Sequence, residues 1–115
     1  MMSLKTVPPT MRKKQRYLIF KIESEKKFGI GEVVESIWEE LLGFLGESGV
    51  SEADPWIMKD LFYRDKQVAG IKTDKDHVEE IRTALALIDE IDGENVCIYV
   101  KGVSGTMKAA KKKFI

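Results

Sequence analysis

The stretch WIMKDLFYRDKQVAGIKT, residues 56–73, decides the fold because it contains two apolar runs that are typical of neighbouring strands. Both runs, 56–64 and 67–73, are rich in aromatic and β-branched residues, which favour strands over helices. Only Asp65 and Lys66 separate them, so we predict a tight antiparallel hairpin. The fold then depends on which elements precede and follow this hairpin.

A helix is predicted on each side of the hairpin. Residues 31–45 repeat apolar side chains at helical spacing, namely Val33, Val34, Ile37, Leu41, Phe44 and Leu45. Residues 46–55 follow as a loop or a broken short helix, which Asp54-Pro55 ends. After the hairpin, Asp74 can cap a second helix, whose apolar stripe consists of Val78, Ile81, Leu85, Ile88 and Ile91. We expect Asp92-Gly93 to end this helix, because glycine commonly follows the last helical residue.

A strand is predicted at each end of the folded region. Residues 16–23 alternate between two faces, with Leu18, Phe20 and Ile22 on one and Tyr17, Ile19 and Lys21 on the other. Residues 95–103 form the fourth strand, after which Ser104 or Thr106 caps a short C-terminal helix. The order β-α-β-β-α-β predicts a ferredoxin-like α/β (α+β) sandwich, which is also the frame of RNA-recognition domains. Its antiparallel sheet has the order 4-1-3-2, with an extra C-terminal helix.

Composition limits the classes of protein to consider. A chain of 115 residues, 43% hydrophobic and 33% charged, is expected to form one domain over residues 12–115 behind a disordered leader at 1–11. No apolar run approaches the roughly 20 residues that cross a bilayer, and the N-terminus lacks the apolar core of a secretory signal. A single cysteine, Cys97, and a single histidine, His77, argue against a disulfide or a zinc site and fit a reducing, cytoplasmic location.

The charge is neutral overall but unevenly distributed. The chain has 19 basic and 19 acidic residues, and every acidic residue lies within residues 22–100. The two ends therefore carry only positive charge. In the predicted sheet the first strand begins beside the end of the fourth, so this topology brings the two basic ends to one corner. A localised cationic surface of this kind favours polyanions.

We call this surface the basic corner and define it by the cations of the two chain ends that the topology brings together. Its members are Arg12, Lys13, Lys14, Arg16, Lys101, Lys108, Lys111, Lys112 and Lys113. Ser104, Gly105 and Thr106 start the tail helix, whose free N–H groups could hold a phosphate. Two alternatives are a solvated lysine tail that maintains solubility and an ordinary capped helix. The GxxxxGK[ST] spacing of a P-loop is absent.

Other candidate sites are weaker. RNA-recognition domains carry aromatic residues on their third strand, where this sequence reads KQVAGIKT, so we expect the tail helix to cover Tyr17, Ile19 and Tyr99 instead. His77 is predicted to be a solvated side chain in the first turn of a helix. Glu23, Asp60 and Asp65 are interpreted as solvated charges at strand ends. We identify no catalytic residues and no metal ligands in this sequence.

Several segments together resemble one known family. The leader and first strand read RKKQRYLIFKIES, the first helix closes with ELLGFLGESG, the hairpin contains DLFYRDKQVAGIKT, and the terminus reads GVSGTMKAAKK. These segments are similar to the archaeal ribonuclease P protein component 2 family, which is homologous to a eukaryotic subunit shared by ribonuclease P and its mitochondrial-RNA-processing relative. The resemblance covers residues 12–113, nearly all of the expected domain.

This resemblance implies a function and a set of partners. Ribonuclease P is a ribonucleoprotein endonuclease, a hydrolase that matures the 5′ end of precursor tRNA. Its RNA subunit and magnesium ions perform the chemistry, so the family implies no cofactor on this chain. The implied partners are the ribonuclease P RNA, precursor tRNA in the holoenzyme, and protein component 3 in a two-plus-two assembly. The basic corner would contact RNA. Ser104, Gly105 and Thr106 would hold the tail helix so that its lysines face the RNA, or contact phosphate themselves. The protein interface would include Phe44, Leu45 and Trp56.

Two other functions remain open from the residues alone. One is a ferredoxin-like domain that binds a small regulatory ligand at a dimer interface, although it gives no reason for the basic ends. The other is an independent metal-dependent nuclease, against which the lack of clustered carboxylates argues. Absence of RNA binding would favour the first, and cleavage of precursor tRNA by the protein alone would favour the second.

Overall fold

The structure is a computed structural model that describes residues 14–115. The predicted leader at 1–11, as well as Arg12 and Lys13, lies outside the described residues. The principal elements, in chain order, are β1 Gln15–Glu23, α1 Ile30–Ala53, β2 Trp56–Tyr63, β3 Val68–Asp74, a 3₁₀ turn Lys75–His77, α2 Val78–Leu87, β4 Glu90–Ile91, β5 Glu94–Asn95, β6 Cys97–Ser104 and α3 Met107–Phe114.

The four long strands form one antiparallel sheet in the order β2-β3-β1-β6. With β6 as the fourth long strand, this is the predicted order 4-1-3-2, and the predicted fold class is confirmed. β1 lies in the middle of the sheet, where it pairs with β3 on one side and with β6 on the other. The register between β1 and β6 shifts at Ile19/Phe20, because Lys101 is an extra, bulged residue of β6.

The two faces of the sheet pack against different helices. Leu18, Phe20 and Ile22 belong to the main core, which the buried faces of α1 and α2 complete. Ile19 points to the opposite, outer face and belongs to a smaller cluster with Ala110 of α3. The alternation predicted for this strand is therefore confirmed, because successive side chains of a strand point to opposite faces.

The first helix is longer than predicted and is broken at one residue. Gly46 has φ 74° and ψ 172°, so it interrupts α1, and the chain returns to helix until Ala53. Of the two alternatives for residues 46–55, the broken helix is correct. The break falls at Gly46 because this residue has a positive φ, which glycine adopts without a steric penalty.

The second helix is shorter than predicted. α2 ends at Leu87, and Asp92-Gly93 turns a small hairpin between β4 and β5. Both turn residues have positive φ, 52° and 82°, as the type I′ hairpin turn requires. Ile91 is buried as predicted, but it reaches the core from β4. No helix among residues 14–115 is long and apolar enough to cross a membrane.

Candidate nucleic-acid interface

The start of β1 and the end of β6 lie side by side at one end of the sheet. Tyr17 pairs with Ser104, and three residues later the chain enters α3. This register places Lys14 and Arg16 next to the segment that starts the tail helix. The juxtaposition of the two basic ends thus follows from strand pairing among the described residues.

The tail helix is attached to the outer face of the sheet by its apolar side. Ala110 is completely buried, and Met107, Phe114 and Ile115 pack around it against Ile19. The Phe114 ring lies on Gly102 of β6, so closely that a Cβ atom at Gly102 would overlap the ring. The opposite side of the helix carries exposed cations, namely Lys108, Lys111, Lys112 and Lys113. Burial of the apolar side therefore holds these four lysines outward.

Of the two predicted caps of the tail helix, Thr106 is the one observed, and Ser104 is not. The Thr106 hydroxyl oxygen accepts a hydrogen bond from the Ala109 N–H at 3.1 Å. Ser104 still lies in β6, where its hydroxyl oxygen accepts from the Thr106 N–H at 3.4 Å. Ser104 is still paired within the sheet, so its side chain lies too far from the first free N–H groups of the helix to cap them.

We predict that Thr106→Ala lowers the free energy of unfolding by about 1 kcal/mol, the usual cost of a lost threonine cap. Urea denaturation followed by circular dichroism measures this change. Ser104→Ala is the matched control and should cost clearly less, because its longer bond to Thr106 is not a helix cap. Equal losses in both variants would contradict the assignment of the cap.

β3 and the 3₁₀ turn that follows it bring two further cations to this end of the sheet. Gln15 pairs with Asp74, and the Lys75 N–H donates to the Lys14 carbonyl oxygen at 2.9 Å. Lys72 lies one strand over from Tyr17, on the outer face. Sequence reasoning missed Lys72 and Lys75 because they belong to the acidic middle of the chain. The predicted sheet order, which puts the third strand beside the first, was the signal that could have found them.

The described cations of this corner are not neutralised by neighbouring carboxylates. Lys14, Lys75, Lys101 and the four tail lysines are exposed, and Arg16 is half-buried with its Nη1 donating to the Gln15 carbonyl oxygen. Within residues 14–115 the ion pairs join Lys21 to Glu23 and Arg82 to Glu79, His77 is hydrogen-bonded to Asp74, and none of these contacts includes a member of the corner. These positive charges therefore remain available to an external anion.

His77 and Asp74 form a pair that the sequence did not reveal. Asp74 is almost fully buried, and its Oδ2 lies 2.9 Å from His77 Nδ1 and accepts from the Asp76 N–H. The expected capping role of Asp74 is confirmed for the 3₁₀ turn that precedes α2. The expectation of a solvated His77 was wrong, because the ring is half-buried against its partner.

The outer face is covered only in part. Tyr17 and Ile19 lie beneath α3, as predicted, whereas Tyr99 remains 46% exposed and was wrongly expected to be covered. Tyr99 pairs with Lys21, beyond the bulge in β6, while α3 contacts the part of the sheet around Gly102. The helix is too short to reach both regions.

The three predicted interface residues lie in different places. Phe44 is 43% exposed in α1, and the neighbouring Leu45 is half-buried against the main core. Trp56 is 57% exposed at the start of the edge strand β2, beside Lys72. Phe44 and Leu45 therefore lie on α1, whereas Trp56 lies at the sheet edge, beside Val50 of the same helix.

Acidic side chains collect on another part of the surface. A shallow depression between α1 and the β4–β5 hairpin is lined by Glu32, Glu35, Ser36, Glu39, Glu90 and Asp92. In the part of the chain that the structure describes, no group of three or more His, Cys, Asp or Glu side chains is arranged to hold a metal ion. The acidic and basic surfaces belong to different elements, which is the charge separation that the sequence predicted.

The α/β sandwich and its exposed cations identify the protein as a small α/β domain with a cationic surface that can bind polyanions. Within that class, the chain belongs to the Rpp14/Pop5 family, whose model matches residues 16–115. The family predicted from the quoted segments is confirmed.

Similar proteins from several archaea carry the name Ribonuclease P protein component 2. The protein of Pyrococcus furiosus is 43% identical over 111 residues, which cover 96% of this chain and 91% of the relative. The Pyrococcus abyssi protein is 45% identical over 115 residues, with 99% and 95% covered. The Methanocaldococcus jannaschii protein is 39% identical over 112 residues, with 97% and 81% covered.

A solved structure shares the fold. One chain of the cryo-EM structure of yeast ribonuclease MRP matches with a TM-score of 0.64, covering 84% of this chain and 77% of that one. Its sequence identity is only 11%, so the similarity concerns the arrangement of helices and strands. The α/β fold is thus one that also occurs in a chain of yeast ribonuclease MRP.

Proposed function

We propose that this chain is a protein subunit of ribonuclease P that binds the RNA subunit and supports its 5′ maturation of precursor tRNA. The single observation that carries the proposal is that the described cations of the basic corner, from two distant ends of the sequence, lie together and form no ion pair with another described residue. Relatives named Ribonuclease P protein component 2, matched over almost their whole length, specify which RNA enzyme it serves.

The corner contacts the RNA backbone. Lysines held outward on a short docked helix neutralise phosphates, and the released counterions provide a favourable entropy. Such contacts position a protein on RNA without reading its sequence. Ser104 and Thr106 use their hydroxyl groups within the chain, so their part is to set the direction of α3 and of its lysines.

The chemistry belongs to the RNA subunit with magnesium ions, and the role of this chain is structural support. A hydrolytic site of its own would need ordered carboxylates or another activated group near the scissile phosphate. The corner instead offers lysine and arginine side chains, which hold phosphates in place. We propose that this chain binds no cofactor and that it functions in the cytoplasm.

A direct binding experiment tests this function. The full chain should bind ribonuclease P RNA with an affinity that falls steeply as salt rises, and it should not cleave precursor tRNA when the RNA subunit is absent. No detectable RNA binding at low salt would contradict the proposal and favour a small-ligand domain. Cleavage by the protein alone, abolished by EDTA, would favour the metal-dependent nuclease.

The protein partner is expected to contact the kinked region of α1. Phe44 is a large exposed aromatic residue next to the half-buried Leu45, and aromatic side chains of this kind often dominate the energy of an interface. We propose that protein component 3 covers these two residues and that the pair assembles as two copies of each chain.

We predict that Phe44→Ser weakens association with component 3 by roughly tenfold or more, since the variant loses a large apolar contact. Isothermal titration calorimetry of the two purified proteins measures the affinity. Tyr99→Ser is the control, because Tyr99 is similarly exposed but lies in β6. The assignment fails if both variants bind component 3 as tightly as the unaltered chain.

A further inference from the structure

A row of side chains crosses the outer face at the end where β1 begins. Trp56 pairs with Lys72, Lys72 pairs with Tyr17, and Tyr17 pairs with Ser104. Directly paired residues of antiparallel strands share a face, so the row extends from the sheet edge to the segment that enters α3. The tail helix packs on Tyr17 at one end, while Trp56 at the other end is 57% exposed.

Two contacts restrain the Trp56 ring despite its exposure. Its Nε1–H donates to Asp54 Oδ1 at 3.0 Å, and the Lys72 Nζ lies over the ring, 5.9 Å from its centroid. A side chain that is already fixed loses little conformational freedom when a ligand binds. The indole therefore offers a preorganised aromatic surface at the edge of the sheet.

The charge next to this ring is positive and continuous with the basic corner. Lys72 forms no ion pair with any residue of the described part of the chain. Lys75 follows three residues later, just beyond the end of β3, where its backbone N–H donates to the Lys14 carbonyl oxygen. Asp54 contacts the ring through its Oδ1, which accepts the indole N–H. An aromatic face beside unpaired cations is the arrangement that binds unpaired nucleotides, because the base stacks and the phosphate meets the cation.

We infer that Trp56 and Lys72 bind one unpaired nucleotide of an RNA, with the base stacked on the indole and a phosphate at Lys72. The inference rests on the proposed function, since it adds a stacking site to a surface proposed to contact only phosphates. It also assigns Trp56 to the RNA interface, whereas the sequence had predicted it in the protein interface. A shallow apolar depression beside the ring, lined by Trp38, Val50 and Pro55, would instead suit a side chain of a protein, but the adjacent cations favour RNA.

The test compares a single-stranded oligouridylate with an RNA duplex of equal length as probes for the full chain. Trp56→Ala should lower the affinity for the single strand by about 5- to 100-fold, the usual loss for one stacked base, and should leave duplex affinity unchanged. Trp56→Phe should retain most of the affinity, because a phenyl ring still stacks. Leu87→Ala, at a similarly exposed apolar residue of α2, should change neither affinity.

A second measurement follows the ring directly. In the Trp38→Phe background Trp56 is the remaining tryptophan, and its fluorescence should be quenched by the single strand and not by the duplex. The inference is overturned if Trp56→Ala binds the single strand normally or loses equal affinity for both probes. It is also overturned if the variant loses affinity for protein component 3 and not for RNA.

The two proposals fail in different ways. If the unaltered chain binds neither probe at low salt, the proposed function itself is wrong. If it binds both probes through the tail lysines while Trp56→Ala behaves like Leu87→Ala, the RNA-binding role survives and the stacking site alone is wrong.

Discussion

Replacing Lys108, Lys111, Lys112 and Lys113 with glutamine is expected to lower the affinity of the chain for ribonuclease P RNA by roughly 100-fold near physiological salt. The slope of log affinity against log salt should fall by about 3, because each lost phosphate contact removes about 0.7–0.9 from it. Filter binding or fluorescence anisotropy over a series of salt concentrations measures both quantities.

The structure explains why these four side chains should act together. They share the exposed side of α3, whose other side is fixed by the complete burial of Ala110 and the contact of Phe114 with Gly102. Glutamine keeps the helix propensity and most of the side-chain length, so the change is mainly one of charge. The domain should therefore remain folded.

A matched control separates position from total charge. Lys26, Lys27, Lys59 and Lys66 are equally exposed but lie outside the basic corner, and their replacement by glutamine removes the same charge. This control should retain most of the affinity and most of the salt slope. Equal losses in the two quadruple variants would show that only net charge matters and would contradict the corner as a defined surface.

Gly102→Val is expected to destabilise the attachment of α3 to the sheet, with a loss of about 1–3 kcal/mol in the free energy of unfolding. A Cβ atom at this position would overlap the Phe114 ring, so the ring and the last turn of the helix must move away. The lysines would remain on the chain but lose their fixed direction, so RNA affinity should also fall several-fold. Urea denaturation and the RNA-binding assay measure the two effects.

Two further variants show whether the ring is the cause. Removing it in the double variant Gly102→Val, Phe114→Ala should make the two changes strongly non-additive, since the overlap no longer exists. Gly43→Ala is the control, because nothing lies near its Cβ position and alanine is favoured within a helix. It should leave stability unchanged or slightly higher. Full additivity of the first pair would rule out the proposed contact.

The fold followed from the sequence wherever one physical signal acted alone. The alternation of Leu18, Phe20 and Ile22 with Ile19 predicted both faces of β1, because successive side chains of a strand point to opposite faces of the sheet. Each face then packs in a different apolar cluster. The order of helices and strands then left few arrangements of the sheet, and the observed order was the predicted one.

The ends of helices and strands were harder to predict, since the same two residues can either end a helix or form a hairpin turn. Asp92-Gly93 fits both a helix end and a hairpin turn, and the apolar residue before it, Ile91, faces the core in either case. Likewise Ser104 and Thr106 are both good caps, and which of them acts depends on how far β6 extends.

The candidate site was predictable in outline but not in its full membership. The two basic ends are visible as charge runs, and the sheet order joins them. Lys72 and Lys75 are isolated cations among many charged residues, so only strand pairing reveals that they lie beside Tyr17 and Lys14. The orientation of Trp56 depends on Asp54 and Lys72, contacts that no local pattern in the sequence encodes.

Reconstitution of precursor-tRNA cleavage tests the central claim most directly. Ribonuclease P RNA is assayed at low magnesium with protein component 3, in the presence and absence of this chain, and with the quadruple tail-lysine variant in its place. Adding the unaltered chain should increase the rate of correct 5′ cleavage clearly, and the variant should give much less stimulation. No stimulation by the unaltered chain would contradict its assignment as a ribonuclease P subunit.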